Sequence, residues 1–336
     1  MIITKTPFRM SFFGGGTDME DYFKENGGAV LSTTFDKYCY VNVRHLPRFF
    51  DYSTELSYSK TERVTDVNDI QHPAIREAMK MLDMQEIRLT YEADLPARSG
   101  LGTSSSFAVG MLNAFYALKG KYADKKKLAD EAIYLERVLC NEAGGWQDQI
   151  AASFGGMNRI EFSEDGYEVL PIIISPDRKQ QLNDNLLMFF TGFTRFSSDL
   201  QKANNISGTD DKRAKLKQMY ELVNEAEQVL VNKNRDLDDF GRLLDKTWRL
   251  KKGTGSAIST DSIDGLYEKG IEAGALGGKL LGAGGGGFLL FYVQPEKQNA
   301  VKEAMKELLY IPFKFENGGT RVIHYSPEQF ELRGEK

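Results

Sequence analysis

The stretch Pro96-Ala97-Arg98-Ser99-Gly100-Leu101-Gly102-Thr103-Ser104-Ser105-Ser106 decides how the rest of the sequence is read. Ahead of it, Ile87–Ala93 alternates as a β-strand. Behind it, residues 104–118 are rich in Ala, Leu and Met and read as a buried helix that stops near Gly120. A strand, a glycine-rich loop and a helix start aim unpaired N–H groups and the positive end of the helix at one point, which makes an anion site. Thr103, Ser104, Ser105 and Ser106 supply hydroxyls for phosphate oxygen or a magnesium ion, or else cap the helix; one cap uses one hydroxyl, and four are present. The chain has no G-x-x-x-x-G-K-[ST] run, so this is not a Walker loop.

Two further glycine clusters stand out. Gly14-Gly15-Gly16-Thr17-Asp18 follows a β-type run over 1–13 that carries Arg9, and Gly282-Ala283-Gly284-Gly285-Gly286-Gly287 lies near the other end of the chain. Glycine costs roughly 0.5–1 kcal/mol relative to Ala inside regular structure, so such clusters point to sharp bends or close backbone approaches. Gly282, Gly284 and Gly287 satisfy G-x-G-x-x-G, but that fingerprint needs a strand before and a helix after, and here a helix is expected before and a strand over 288–293 after. The expectation is a turn whose backbone lies against a ligand or another loop. Asp18 reads equally well as the N-cap of a short helix over 19–24.

Two carboxylates complete the reading. Glu136 falls near the end of an expected helix over 127–141, and Asp148 follows the break at Gly144-Gly145. Flanking a tight turn, they can converge as a metal ligand and a base; the plain alternative is a surface Glu and an N-cap Asp for a helix over 149–154. Trp146 and the neighbouring Gln147 and Gln149 mark an unusual setting for a surface turn.

The length of 336 residues suggests roughly two domains. The polar segment 175–185 is the best boundary, dividing the chain into 1–183 and 184–336. Strand patterns (29–35, 38–44, 157–174, 186–190, 321–325) mix with helical ones (73–82, 211–231, 237–250, 261–273, 296–309) without a βαβα repeat, so the class is α+β. A formal charge of −5 argues against a nucleic-acid partner. No apolar run approaches the roughly 20 residues of a membrane span, and the first residues lack signal-peptide architecture, so a cytoplasmic location is expected. Two cysteines and three scattered histidines form neither a disulfide framework nor a zinc site.

In this order the three glycine segments resemble the signature motifs of the GHMP kinases, the superfamily of galactokinase, homoserine kinase, mevalonate kinase and phosphomevalonate kinase. Residues 96–105 match its ATP loop P-x-x-x-G-L-G-S-S, and 279–288 match its C-terminal glycine motif. Residues 9–18 are similar to the sugar motif R-x-N-L-I-G-E-H-T-D, with Arg9, Gly14, Thr17 and Asp18 in register. Gly15 and Gly16 replace Glu-His there, which implies a differently shaped sugar pocket. Within the superfamily the set is similar to sugar-1-kinases acting on heptose phosphates or on fucose.

The resemblance implies a two-domain α+β fold of mixed and antiparallel sheets with packed helices, and an ATP site between the domains. It implies a kinase in which Asp148 takes the proton of the acceptor's anomeric hydroxyl and Arg9 stands beside it. Pro96, Ser99, Gly100, Leu101, Gly102, Thr103, Ser104, Ser105 and Ser106 would hold ATP, and Ser104 with Glu136 would hold Mg²⁺. Gly15, Gly16, Thr17, Asp18, Gly284 and Gly285 would contact the sugar. Arg195, with Lys251, Lys252 or Arg98, would hold a phosphate on the sugar, unless these are solvated surface charges. The expected partner is a small sugar or sugar phosphate, with no nucleic acid or membrane, and the protein would be a monomer or homodimer. A non-catalytic sensor on this fold would be expected to lose the aspartate or the loop hydroxyls, and this chain keeps both.

Overall fold

The computed structural model describes residues 1–97, 99–192, 210–255, 258–282 and 284–327. The first strand, β1 (Ile2–Phe13), pairs antiparallel along nearly its whole length with β2 (Gly28–His45), after the short helix α1 (Glu20–Asn26) has turned the chain round. The two strands expected over 29–35 and 38–44 are one long strand. Its register slips where Phe8 faces Phe35 and Pro7 faces Tyr38, because Pro7 has no N–H to keep the ladder in step.

Around this pair the first sheet has the order β13-β1-β2-β5-β3-β4, with β3 (Thr54–Ser57), β4 (Thr61–Val64), β5 (Ile87–Ala93) and β13 (Arg321–Tyr325). β6 (Met157–Ser163) and β12 (Phe315–Glu316) also pair with β2, and β7 (Gly166–Pro171) pairs with β6. Among these pairings β3 with β5 is parallel and the others are antiparallel. Helices α2 (Pro73–Met81), α3 (Thr103–Leu118), α4 (Lys125–Ile133) and α5 (Gln147–Phe154) accompany it. Helix α3 is buried on nearly every side, as its apolar sequence predicts. Thr4 Oγ1 on β1 donates to the Gly110 carbonyl of α3 at 2.9 Å, which draws the helix close to the strand that carries Arg9.

The segment 175–185 is not an open linker. Ser175 accepts from the Arg178 N–H and starts α6 (Pro176–Asp184), which buries Leu182 and Asn183 and leaves its other residues partly or fully exposed. A second sheet follows in the order β11-β8-β10-β9, with β8 (Leu186–Gly192), β9 (Gly277–Leu280), β10 (Gly287–Tyr292) and β11 (Leu309–Tyr310). It packs with α7 (Asp210–Val231), α8 (Asp238–Lys252), α9 (Asp261–Glu272) and α10 (Gln298–Ala304). The helix expected over 296–309 is shorter because the chain must become extended at Leu309 to pair with Phe190. One apolar cluster joins the two sheets: Phe240 of α8 stands edge-on to Phe12 and Phe13 of β1, at 5.3 and 5.1 Å between ring centres. Strands β12 and β13, late in the chain, return to the first sheet.

Candidate active site

The loop between β5 and α3 is fixed from behind by the β9–β10 turn. A strand, not a helix, immediately precedes the third glycine cluster, so the cluster is a hairpin connection. Its backbone lies directly on the anion loop. A Cβ added at Gly100 (φ +82°) would sit 2.3 Å from the Leu281 carbonyl oxygen, and one at Gly282 (φ +85°) would sit 2.2 Å from Gly100 Cα. Only glycine satisfies both the positive φ and the space. Of the two outcomes expected for this turn, a ligand or another loop, the described backbone meets the loop.

Helix α3 opens at Thr103 with Gly102 as N-cap and no side-chain cap, so the capping alternative for the hydroxyls does not hold. They reach elsewhere. Ser106 Oγ donates to the Pro7 carbonyl at 2.9 Å, while Ser104 Oγ and Ser105 Oγ donate to Glu136 Oε1 and Oε2 at 2.8 and 2.7 Å. Ser99 is fully buried, and Leu101 accepts the Arg9 N–H at 3.1 Å.

Glu136 reaches α3 through a local change of helix type. The helix expected over 127–141 widens after α4 into a π-turn, Tyr134–Leu139, in which the Cys140 N–H bonds five residues back to Leu135. This turn holds the Glu136 carboxylate in the interior, 1 % exposed, with Gln149 Nε2 as a further donor. Ser104 Oγ and Glu136 Oε1 lie 2.8 Å apart. Two ligands at right angles in an octahedral Mg²⁺ shell, about 2.0–2.1 Å from the ion, are about 2.9 Å apart, so the pair fits one edge of such a shell. The buried Gln149 Oε1 beside it has no hydrogen-bond partner among the described residues. Among the described residues no three His, Cys, Asp or Glu are arranged to hold a metal ion, so a metal here would take further ligand oxygens from elsewhere.

Arg9 joins this loop to Asp148. Its Nε and Nη2 both lie 2.7 Å from Asp148 Oδ1, and Nη1 donates to the Gly100 carbonyl at 2.8 Å. Asp148 sits in the first turn of α5 and does not cap it; its Oδ2 has no protein donor among the described residues. Asp18 is no cap either, since α1 begins without one. Its buried carboxylate accepts from the Gly16 N–H at 2.8 Å and the Gln147 N–H at 3.3 Å. Burial, followed by the nearby Asp148 charge, raises its pKa above the ordinary carboxylate value. The Gly-Gly break allows this approach, because a Cβ at Gly145 would lie 1.9 Å from Asp18 Oδ2.

Arg9, Gly15, Gly16, Asp18, Asp148 and Lys251 line a common cavity of about 140 Å³. Thr17 is fully buried and does not line it; its hydroxyl lies 2.8 and 2.9 Å from the Gly14 and Ala29 carbonyls and shapes the turn. Gly284 and Gly285 pack on Ile258 and do not line the cavity, contrary to expectation, because the hairpin turns them towards that segment. Arg98 and Arg195 lie outside the described residues. Lys252 points away to Asp264 Oδ1 at 2.9 Å.

Sequence reasoning missed three cations that line the cavity: Arg137, Lys212 and Lys279. Lys279 was legible only as a charged residue inside an otherwise apolar glycine motif. It is 1 % exposed, donates to the Ser11 and Phe12 carbonyls at 2.8 Å each, and is held well below the usual lysine pKa by burial and by Lys251 and Arg9. Arg137 offered no signal beyond adjacency to Glu136. Its Nη1 donates to the Glu142 carbonyl at 3.0 Å and its Nη2 stands 3.8 Å from Glu136 Oε2.

The sequence matches the profile of the GHMP kinases N terminal domain over residues 70–156 and that of the GHMP kinases C terminal domain over 220–311. It is 31% identical to a D-glycero-alpha-D-manno-heptose 7-phosphate kinase of Campylobacter jejuni, over 95% of this chain and 98% of that one. The chain is a GHMP kinase. A Bacteroides fragilis L-fucokinase/L-fucose-1-P guanylyltransferase is 30% identical over 64% of this kinase, which spans 23% of that longer protein. The crystal structure of a D-glycero-D-manno-heptose 1-phosphate kinase from Bacteroides thetaiotaomicron shares the fold, with a TM-score of 0.77 at 23% identity over 96% of this kinase and 99% of that chain. This kinase is an ATP-dependent sugar phosphotransferase. Among its described residues no helix is long and apolar enough to cross a membrane.

Proposed function

We propose that this kinase transfers the γ-phosphoryl group of ATP to the anomeric hydroxyl of D-glycero-D-manno-heptose 7-phosphate, giving the 1,7-bisphosphate, in the cytoplasm. The observation that carries the reading is a sugar-sized cavity that begins at Asp148 and Arg9 and has cationic walls in a chain of net charge −5. Similarity to the Campylobacter enzyme along nearly its whole length supports the same substrate.

Phosphoryl transfer depends on positioning and charge neutralisation. The backbone of the loop at 99–106, held rigid by Gly282, cradles the ATP phosphates. Arg9 turns Asp148 Oδ2 towards the acceptor, where it takes the hydroxyl proton. Asp18 accepts a hydrogen bond from another sugar hydroxyl. Bound at Ser104 and Glu136, Mg²⁺ would neutralise charge on the phosphate oxygens. Changing Glu136 to Gln removes a formal charge from this hard-oxygen site, so the Mg²⁺ concentration for half-maximal rate rises at least about tenfold. Titration of Mg²⁺ at fixed ATP reads this, and an unchanged curve removes Glu136 from the metal shell.

The sugar's own phosphate is a dianion and needs charge-assisted hydrogen bonds. Lys251, one sequence candidate for it, stands at the reacting end of the cavity, near Asp148. Lys212 is the cation we assign to the phosphate, since Arg137 stands beside Glu136 at the proposed metal site. The test is a panel of sugars and sugar phosphates with ATP. We expect kcat/KM for the 7-phosphate to exceed that for the free heptose by at least about a hundredfold, because an empty phosphate site forfeits its binding energy. Lys212→Ala should erase most of that preference while ATP binding stays intact. Equal rates on the two heptoses would favour a neutral-sugar kinase, with fucose the next acceptor to try in view of the fucokinase similarity.

A further inference from the structure

Helix α8 ends in two adjacent lysines with opposite fates. Lys252 meets Asp264 at 2.9 Å, whereas Lys251 turns inward and donates to the Gly282 carbonyl. That carbonyl is its one hydrogen-bond acceptor among the described residues. An ammonium carries three donors, so two remain for the cavity it lines. The groups that face it are Arg9 on β1, Lys279 on β9, Asp148 on α5 and Asp18 in the turn after β1. Asp148 is already engaged by Arg9, and Lys279 is taken up by the Ser11 and Phe12 carbonyls, so Arg9 and Lys251 stand near each other with one of the two carboxylates already paired. Burying cations beside one another is costly unless an anion joins them.

The anchoring atoms indicate which anion. Arg9 is tied to the Gly100 carbonyl and Lys251 to the Gly282 carbonyl, and these two glycines are the pair in backbone contact. The two cations thus bracket the seam between the loop that holds ATP and the cavity that holds the acceptor.

We propose that Lys251 is a catalytic residue that contacts the phosphoryl group during its transfer. In the step, a bond forms between the acceptor oxygen and the γ-phosphorus. The bond from that phosphorus to the bridging β–γ oxygen breaks, and its electron pair leaves with ADP. The acceptor proton passes to Asp148. Lys251 exchanges no proton; it balances charge on the equatorial oxygens and the leaving oxygen, where such stabilisation contributes most. This inference rests on the kinase activity and not on the identity of the sugar, so it is tested with whichever acceptor the panel selects.

Burial, then the Arg9 charge, lowers the Lys251 pKa to about 8, the carboxylates opposing both. The residue therefore loses its charge just above neutrality, and kcat/KM for ATP should fall along that limb. Lys251→Met should lower kcat at least about a hundredfold, as loss of one transition-state donor does, with KM for ATP within about threefold of wild type. Lys251→Arg, whose guanidinium stays charged, should retain activity and move the alkaline limb to higher pH. If the bulkier arginine is inactive, Lys251→Ala is assayed with added ethylamine, and rescue along the amine's own titration supports the role. A folded Lys251→Met with kcat within about threefold of wild type overturns it. So does a loss confined to KM for ATP, an active Lys251→Arg with an unmoved limb, or no rescue by ethylamine at any pH.

Discussion

Replacing Asp148 with Asn lowers kcat about a thousandfold, the middle of the range for loss of a general base, while ATP affinity changes little. Asn keeps the shape of the side chain, and its Oδ1 still accepts from Arg9, which holds Asp148 Oδ1 at 2.7 Å. What disappears is the acceptor capacity at the second position, the one without a protein donor among the described residues. A defect confined to turnover separates this from the structural alternative, in which Asp148 serves only to anchor Arg9. In that case the variant would turn over within a few-fold of wild type at saturating substrates, and the proton would leave by another route.

Placing Ala at Gly282 destabilises the protein by about 3 kcal/mol, the sum of a left-handed backbone penalty and an overpacking term. At about 2 °C per kcal/mol the melting midpoint falls by about 6 °C. ATP affinity falls with it, since the added Cβ would lie 2.2 Å from Gly100 Cα and one of the two backbones must move. Gly120→Ala is the control. Gly120 also has a positive φ, +65°, but nothing lies within 4 Å of its Cβ position, so it carries the backbone penalty alone. Equal effects of the two substitutions on stability and on ATP binding would mean that contact between the loops contributes nothing.

The anion loop was legible because three separate signals agreed on it: alternation in Ile87–Ala93, glycines where the chain turns, and an apolar run in α3. Strand and helix limits there follow from local chemistry. The carboxylates were harder. Glu136 and Asp148 each had a bland local explanation, as a surface residue and a cap. Their true partners, Ser104, Ser105 and Arg9, lie 31 to 139 positions away in the chain, beyond any local pattern. The π-turn that aims Glu136 inward leaves no mark in the periodicity, since it adds one residue to one turn. Lys279 and Lys251 were hard to read for a related reason. Single lysines are usually solvated, and only the tertiary fold shows these two turned inward. The glycine hairpin was half legible: its close approach was foreseen, but its partner was a loop nearly two hundred residues earlier.

The way the first sheet closes bears on how the chain is made. Strand β1 lies between β2, which follows it within thirty residues, and β13, whose Tyr325 pairs with Ile2. During synthesis the strand that carries Arg9 therefore emerges well before its second partner and waits, with one flank open, until Arg321–Tyr325 has left the ribosome. An open flank of this kind is a template for unwanted pairing with other chains. Slow translation of the second half would lengthen that exposure, so a chaperone that masks nascent strands should raise the yield of active enzyme more than it raises the stability of the finished one.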